Sequence, residues 1–76
     1  MKALSVFREH ERVELCDLRI YGEKRAQIES LGIREGVCAE IFFKDRQKTV
    51  LKLGATKVAL SENITLRILA KNADEA

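Results

Sequence analysis

Between Gly32 and Gly36 the chain changes its period, and no other feature constrains the fold as strongly. Before the change, residues 23–31 repeat as a short helix. Ile28 and Leu31 stand three apart on one face, with Ala26, Glu29 and Ser30 on the other. Lys24 shares the apolar row, where its stem covers neighbours while the ammonium reaches water. Glu23 lies in the first turn, where the helix dipole favours negative charge. After the change, Val37, Ala39, Ile41 and Phe43 alternate with Cys38, Glu40 and Phe42, the two-residue period of a strand with one apolar face. Phe42 is therefore expected on the opposite face from Ile41 and Phe43. Gly32 is placed to end the helix in the left-handed conformation, and Gly36 to supply positive φ to the turn.

The remaining segments are strands and tight turns. Residues 12–20 favour a strand, with a phase slip near Cys16 or Asp17 such as a bulge produces. Residues 44–48 form a charged turn, and residues 49–53 a strand. Leu53-Gly54-Ala55-Thr56 fits a two-residue hairpin with glycine at the first central position, as a type II′ turn requires. Residues 56–60 return, Ser61 is expected to cap a single helical turn, and residues 66–70 close the chain as a last strand. Residues 71–76 read as a flexible polar tail. The whole, residues 1–76, is expected to be one mainly β domain: a small, strongly bent barrel of about five strands with one short inserted α-helix.

So small a chain buries only about 60% of the surface its unfolded form exposes, so a cleft that encloses a substrate is not expected. No apolar run exceeds three residues, which excludes a membrane-spanning helix. The start, Met1 to Arg8, is too quickly charged for a secretory signal, so a cytoplasmic location is expected, with Cys16 and Cys38 reduced and buried as small apolar fillers. A single histidine, His10, forbids a paired-histidine zinc site, and neither a Cys-x-x-Cys pair, a phosphate loop nor a nucleophile elbow is present. The expectation is a non-enzyme without a cofactor. The alternative function is a transition-metal sensor with weak binding of a divalent ion at His10, Glu9 and Glu11; in an extended segment those two carboxylates would face away from the imidazole, and a solvated polar loop leading into the first strand is the plainer reading. Cys16 and Cys38 could meet across neighbouring strands as a soft site, but two thiols are an incomplete ligand set.

The net charge is only +2, but residues 44–57 hold Lys44, Arg46, Lys48, Lys52 and Lys57 against Asp45 alone. On the interaction reading, three of these cations sit on a hairpin tip and two on adjacent strands, and with Phe42 they form a candidate partner-binding surface. On the alternative reading, the lysines keep a sheet edge from pairing with other chains. Weak self-association through a strand edge remains open. Nucleic acid is the weaker partner for this segment, because Phe42 and Phe43 do not make a stacking platform.

The stretch Ile28-Glu29-Ser30-Leu31-Gly32-Ile33-Arg34-Glu35-Gly36-Val37 resembles the Leu-x-x-Leu-Gly-Leu-x-x-Gly signature of FeoA proteins. Residues 50–60, a valine-containing strand, a glycine turn at Gly54 and an Ala59-Leu60 pair, resemble the same family's second hallmark. Residues 64–70 look like its last strand. The resemblance implies an SH3-like barrel with an inserted helix. It also implies an adaptor or regulator of bacterial ferrous-iron uptake that docks on the cytosolic, GTP-binding part of the membrane transporter FeoB. Three positions depart from the family: Glu35 stands where proline is frequent, Ser61 where arginine is common, and Glu9-His10-Glu11 where a Pro-Gly turn is usual.

Overall fold

The computed structural model describes residues 1–74. Six antiparallel strands form one sheet: β1 (Lys2–Ala3), β2 (Arg12–Leu18), β3 (Cys38–Lys44), β4 (Lys48–Leu53), β5 (Thr56–Ser61) and β6 (Ile68–Asn72), in the order β1-β6-β2-β3-β4-β5. A 3₁₀ turn at Leu4–Val6 follows β1, helix α1 (Gly22–Ser30) joins β2 to β3, and the single turn α2 (Glu62–Thr65) joins β5 to β6. Strands about 4.8 Å apart would make a flat, thin slab. The molecule instead measures 31 × 26 × 24 Å, so the sheet curls around its own inner face. That face buries Val13, Leu15, Leu18, Ala39, Ile41, Leu51, Val58, Leu60, Ile68 and Ala70, and Leu4, Phe7, Ile28, Ile33 and Ile64 close the core.

Strand β2 slips register against β6 between Leu15 and Asp17, where its pattern slips. A second bulge, unmarked in the sequence, lies in β3: Ile41 pairs with Leu51 and Phe43 with Val50. The extra residue carries Phe43 out of the row that buries Ala39 and Ile41, so Phe43, expected inside, is 41% exposed, as is Phe42. A sixth strand, β1, is the two-residue addition that alternation is too short to reveal. The last strand reaches past Ala70: Lys71 and Asn72, expected in a tail, pair with Glu14 and Val13, and the Ala73 amide donates to the Arg12 carbonyl at 2.9 Å. Glu75 and Ala76, the end of that expected tail, lie outside the described residues. Ser61 precedes α2 but its hydroxyl makes no capping bond; the Glu62 amide is satisfied by the Gln47 carbonyl at 3.1 Å instead.

Helix α1 ends in a Schellman motif. The Ile33 amide bonds the Ile28 carbonyl at 3.2 Å and the Gly32 amide bonds the Glu29 carbonyl at 3.0 Å, with Gly32 at φ 96°. The motif brings Ile33 onto Ile28, and both are buried. Leu31, expected beside Ile28, is the cap residue between them and is 51% exposed.

One turn device occurs twice. Arg34 to Val37 closes with the Val37 amide on the Arg34 carbonyl, Gly36 at φ 90° in third place, and Leu15 facing both Gly36 and Val37: the Gly36 amide donates to Leu15 and the Leu15 amide to Val37. That is a type II turn running into a bulge whose first residue is left-handed. Arg8 to Glu11 repeats it. The Glu11 amide reaches Arg8, His10 sits at φ 75°, and Ile41 accepts from His10 at 2.6 Å and donates to Glu11 at 2.9 Å. The segment around His10 is thus a turn leading into β2, in keeping with a polar loop and not with an extended run, and His10 holds the glycine-like position.

Candidate functional site

The residue before each left-handed position is a glutamate, and each carboxylate caps a backbone amide of the facing strand. Glu35 Oε2 accepts from the Leu18 amide at 3.1 Å, and Glu9 Oε2 from the Lys44 amide at 2.9 Å. A proline there would fix φ for the turn; the glutamates replace that preset with a cross-strand bond. Glu35 also lies 3.7 Å from Arg25 Nη2, and Arg25 donates to the Leu18 carbonyl at 2.8 Å and pairs with Glu29 at 3.3 Å. This cluster fastens α1 to the end of β2. Sequence reasoning missed it, although the Arg25–Glu29 spacing of four is the usual helix ion-pair signal.

The expected partner-binding residues divide into two sets. At the β3–β4 turn, Asp45 Oδ1 accepts from the amides of Gln47 at 2.8 Å and Lys48 at 3.0 Å, bonds that hold its carboxyl below the ordinary carboxylate range. The same turn exposes Arg46 and Lys48. Lys44 does not stand with them. Its ammonium donates to the carbonyls of Ser5 and of Phe7, the latter at 2.9 Å, and ties the end of β3 to the first residues of the chain.

The second set lies on the outer face of β3, β4 and β5. The β3 bulge places Phe42 and Phe43 together opposite half-buried Val50, which pairs with exposed Ala59. Lys57 Nζ sits 4.0 Å from the centre of the Phe42 ring, a cation–π contact that holds the ring in place. Lys52 and Lys57 are directly paired across β4 and β5. Like charges in that position destabilise a sheet; Glu40, directly across from Lys52 on β3, is an acidic neighbour, but neither lysine lies within ion-pair distance of a carboxylate among the described residues. Gly54, the third expected turn glycine, has φ 61° between Leu53 and Thr56, which are paired as the hairpin predicts.

The surface carries shallow depressions among the described residues. An open groove of about 760 Å³ lies beside Arg8, Glu9, His10, Lys44, Arg46 and Glu62, with charges of both signs. A smaller one, about 340 Å³, lies beside Arg12, Cys38, Glu40 and Lys52. His10 Nδ1 is 3.9 Å from Glu40 Oε2, and both groups are open to solvent. Among the described residues, no three His, Cys, Asp or Glu side chains are grouped to hold a metal ion. Cys16 is half-buried and Cys38 is exposed, so neither is the buried core filler expected. Among the described residues, no helix is long and apolar enough to cross a membrane.

No family model matches the chain, and no curated protein matches it in sequence. Solved structures do match it in shape. The crystal structure of an iron uptake regulatory protein, FeoA, superposes with a TM-score of 0.79 over 91% of this chain and 93% of its own, at 14% identity. The NMR structure of a FeoA-like protein from Clostridium acetobutylicum superposes with a TM-score of 0.81 over 99% of this chain and 90% of its own, at 19% identity. The chain has the FeoA fold. At these identities the likeness is one of architecture, and it agrees with the mainly β barrel and inserted helix that the sequence predicts.

Proposed function

We propose that this chain is a non-enzymatic accessory protein of bacterial ferrous-iron uptake, acting in the cytoplasm by docking on the GTP-binding part of a FeoB-type transporter. The observation that carries the reading is the FeoA fold over nearly the full chain, on which the two FeoA-like motifs lie at Ile28–Val37 and Val50–Leu60. The surface supports it in kind: exposed aromatic side chains beside the lysines of β4 and β5 suit a protein interface better than they suit catalysis. The chain works through contact, and the transporter supplies both the pore and the nucleotide hydrolysis.

Uptake of radiolabelled ferrous iron by cells lacking this chain tests the role. Uptake falls on deletion and returns when the wild-type chain is restored. Uptake that is unchanged by the deletion, with the transporter present at normal level, would overturn the reading.

A further inference from the structure

Strand β5 ends the sheet order, so among the described residues no strand covers its outer side. It is six residues long, without proline, glycine or a register break, whereas the strand at the other end, β1, has only two residues. The hairpin determines which of its backbone groups are free. Leu53 and Thr56 close a two-residue turn as a hydrogen-bonded pair, and such pairs alternate along an antiparallel ladder. Thr56, Val58 and Leu60 therefore direct their amides and carbonyls at β4. Lys57 and Ala59 direct theirs at the open edge.

The side chains beside that edge define what it would accept. Val58 and Leu60 are buried, while Lys57 and Ala59 lie on the outer face. Ala59 is small, which leaves Val50 and the Phe42–Phe43 pair accessible past it. β4 and β5 together carry Lys48, Lys52 and Lys57 and no acidic residue. A second copy of the chain would bring more cations and no carboxylate from its own β5 to this face. We propose that β5 receives an extended acidic segment of the partner protein as a seventh strand, whose carboxylates meet Lys57 and Lys52 and whose apolar side chain rests on Phe42 and Val50. The proposal rests on the docking reading above and specifies its mode. Strand addition supplies affinity through the free backbone groups, and the lysine pair supplies the choice of partner. Charge from the segment also adds to Glu40, which faces Lys52 from β3, in offsetting the Lys52–Lys57 repulsion.

Amide hydrogen exchange by NMR tests this on the full chain, alone and with the cytosolic GTP-binding part of the FeoB-type transporter from the same genome. Alone, the Lys57 and Ala59 amides exchange fast and those of Val58 and Leu60 slowly. In the complex, Lys57 and Ala59 slow by about tenfold or more, the protection expected of a new interstrand bond. Ala59→Pro removes an edge amide that makes no bond to β4, a place where strands tolerate proline, and weakens binding by about tenfold. Should that variant fail to fold, Lys52→Glu with Lys57→Glu gives a similar loss and a flatter salt dependence.

Binding that leaves the β5 amides unprotected and survives both variants would overturn the strand-addition proposal while the docking reading stands. Absence of any binding by the wild-type chain would overturn both. A homodimer with protected β5 amides, seen by sedimentation, would give the edge to a second copy and overturn the acidic occupant.

Discussion

Replacing Lys44 with methionine should damage the fold, although Lys44 lies in the same basic run as residues that can be changed freely. Its ammonium bonds the carbonyls of Ser5 and Phe7, while its stem crosses the half-buried seam between β3 and the first residues. Methionine keeps most of the stem's apolar volume and removes the charge. A hydrogen bond to a charged group contributes about 1.5–3 kcal/mol. Two such bonds share one ammonium here, and both carbonyls are only partly buried, so the expected loss is about 2–3 kcal/mol in all. A domain of this size is stable by roughly 4–11 kcal/mol at 0.05–0.15 kcal/mol per residue, so the variant folds with a much smaller margin. For domains of 60–100 residues each kcal/mol shifts Tm by about 4–8 °C, so Tm should fall by about 8–24 °C. Urea denaturation followed by circular dichroism should show a lower midpoint at unchanged slope. Arg46→Met and Lys48→Met, exposed positions, should stay within about 0.5 kcal/mol of wild type. A Lys44→Met variant as stable as Arg46→Met would refute the assignment of Lys44 to the fold.

Three further outcomes follow from backbone geometry and one titration. His10→Gly relieves a left-handed position that costs a non-glycine residue about 1–2 kcal/mol, offset in part by the greater freedom of glycine in the unfolded chain. Thermal melts should show a gain of up to about 1 kcal/mol, and a loss would contradict the turn assignment. Gly32→Ala meets no clash, its added Cβ lying 3.7 Å from Leu53 Cδ1, but forces alanine to φ 96°, so denaturation should register a loss of about 1–2 kcal/mol. The Asp45 carboxyl is lowered by the folded turn from its ordinary value of 3.8, so its stabilising effect is present above that value and is lost as pH falls through the folded one. Asp45→Asn should flatten that part of the acid limb in melts below pH 4, and an unaltered limb would rule Asp45 out as a contributor.

The parts of the fold that were legible are those with a chemical marker in the chain. Gly32 and Gly54 mark places where an L side chain is strained, and the slip around Cys16 shows in the phase of its apolar neighbours. The parts that were not legible depend on choices between equivalent residues. Nothing in Ile41-Phe42-Phe43 says that Phe43 leaves the core along with Phe42, because the β3 bulge has no glycine and both rings are apolar. Leu31 and Ile33 compete for the place beside Ile28, and the geometry of the helix end, not hydrophobicity, decides for Ile33. The turn at His10 was hidden because a histidine takes the position that glycine would advertise. In the basic run, charge count could not separate Lys44, which turns inward to two carbonyls, from Lys52 and Lys57, which stay on the outer face, Lys57 over the Phe42 ring.

Co-purification of the chain with the full-length FeoB-type transporter in detergent, once with a GTP analogue and once with GDP, tests the central claim most directly. The account predicts that the chain is retained through washing at low salt and is released as salt rises, since cations line the proposed interface. A transporter that retains its own fold and nucleotide binding but holds none of the chain in either nucleotide state would contradict the account.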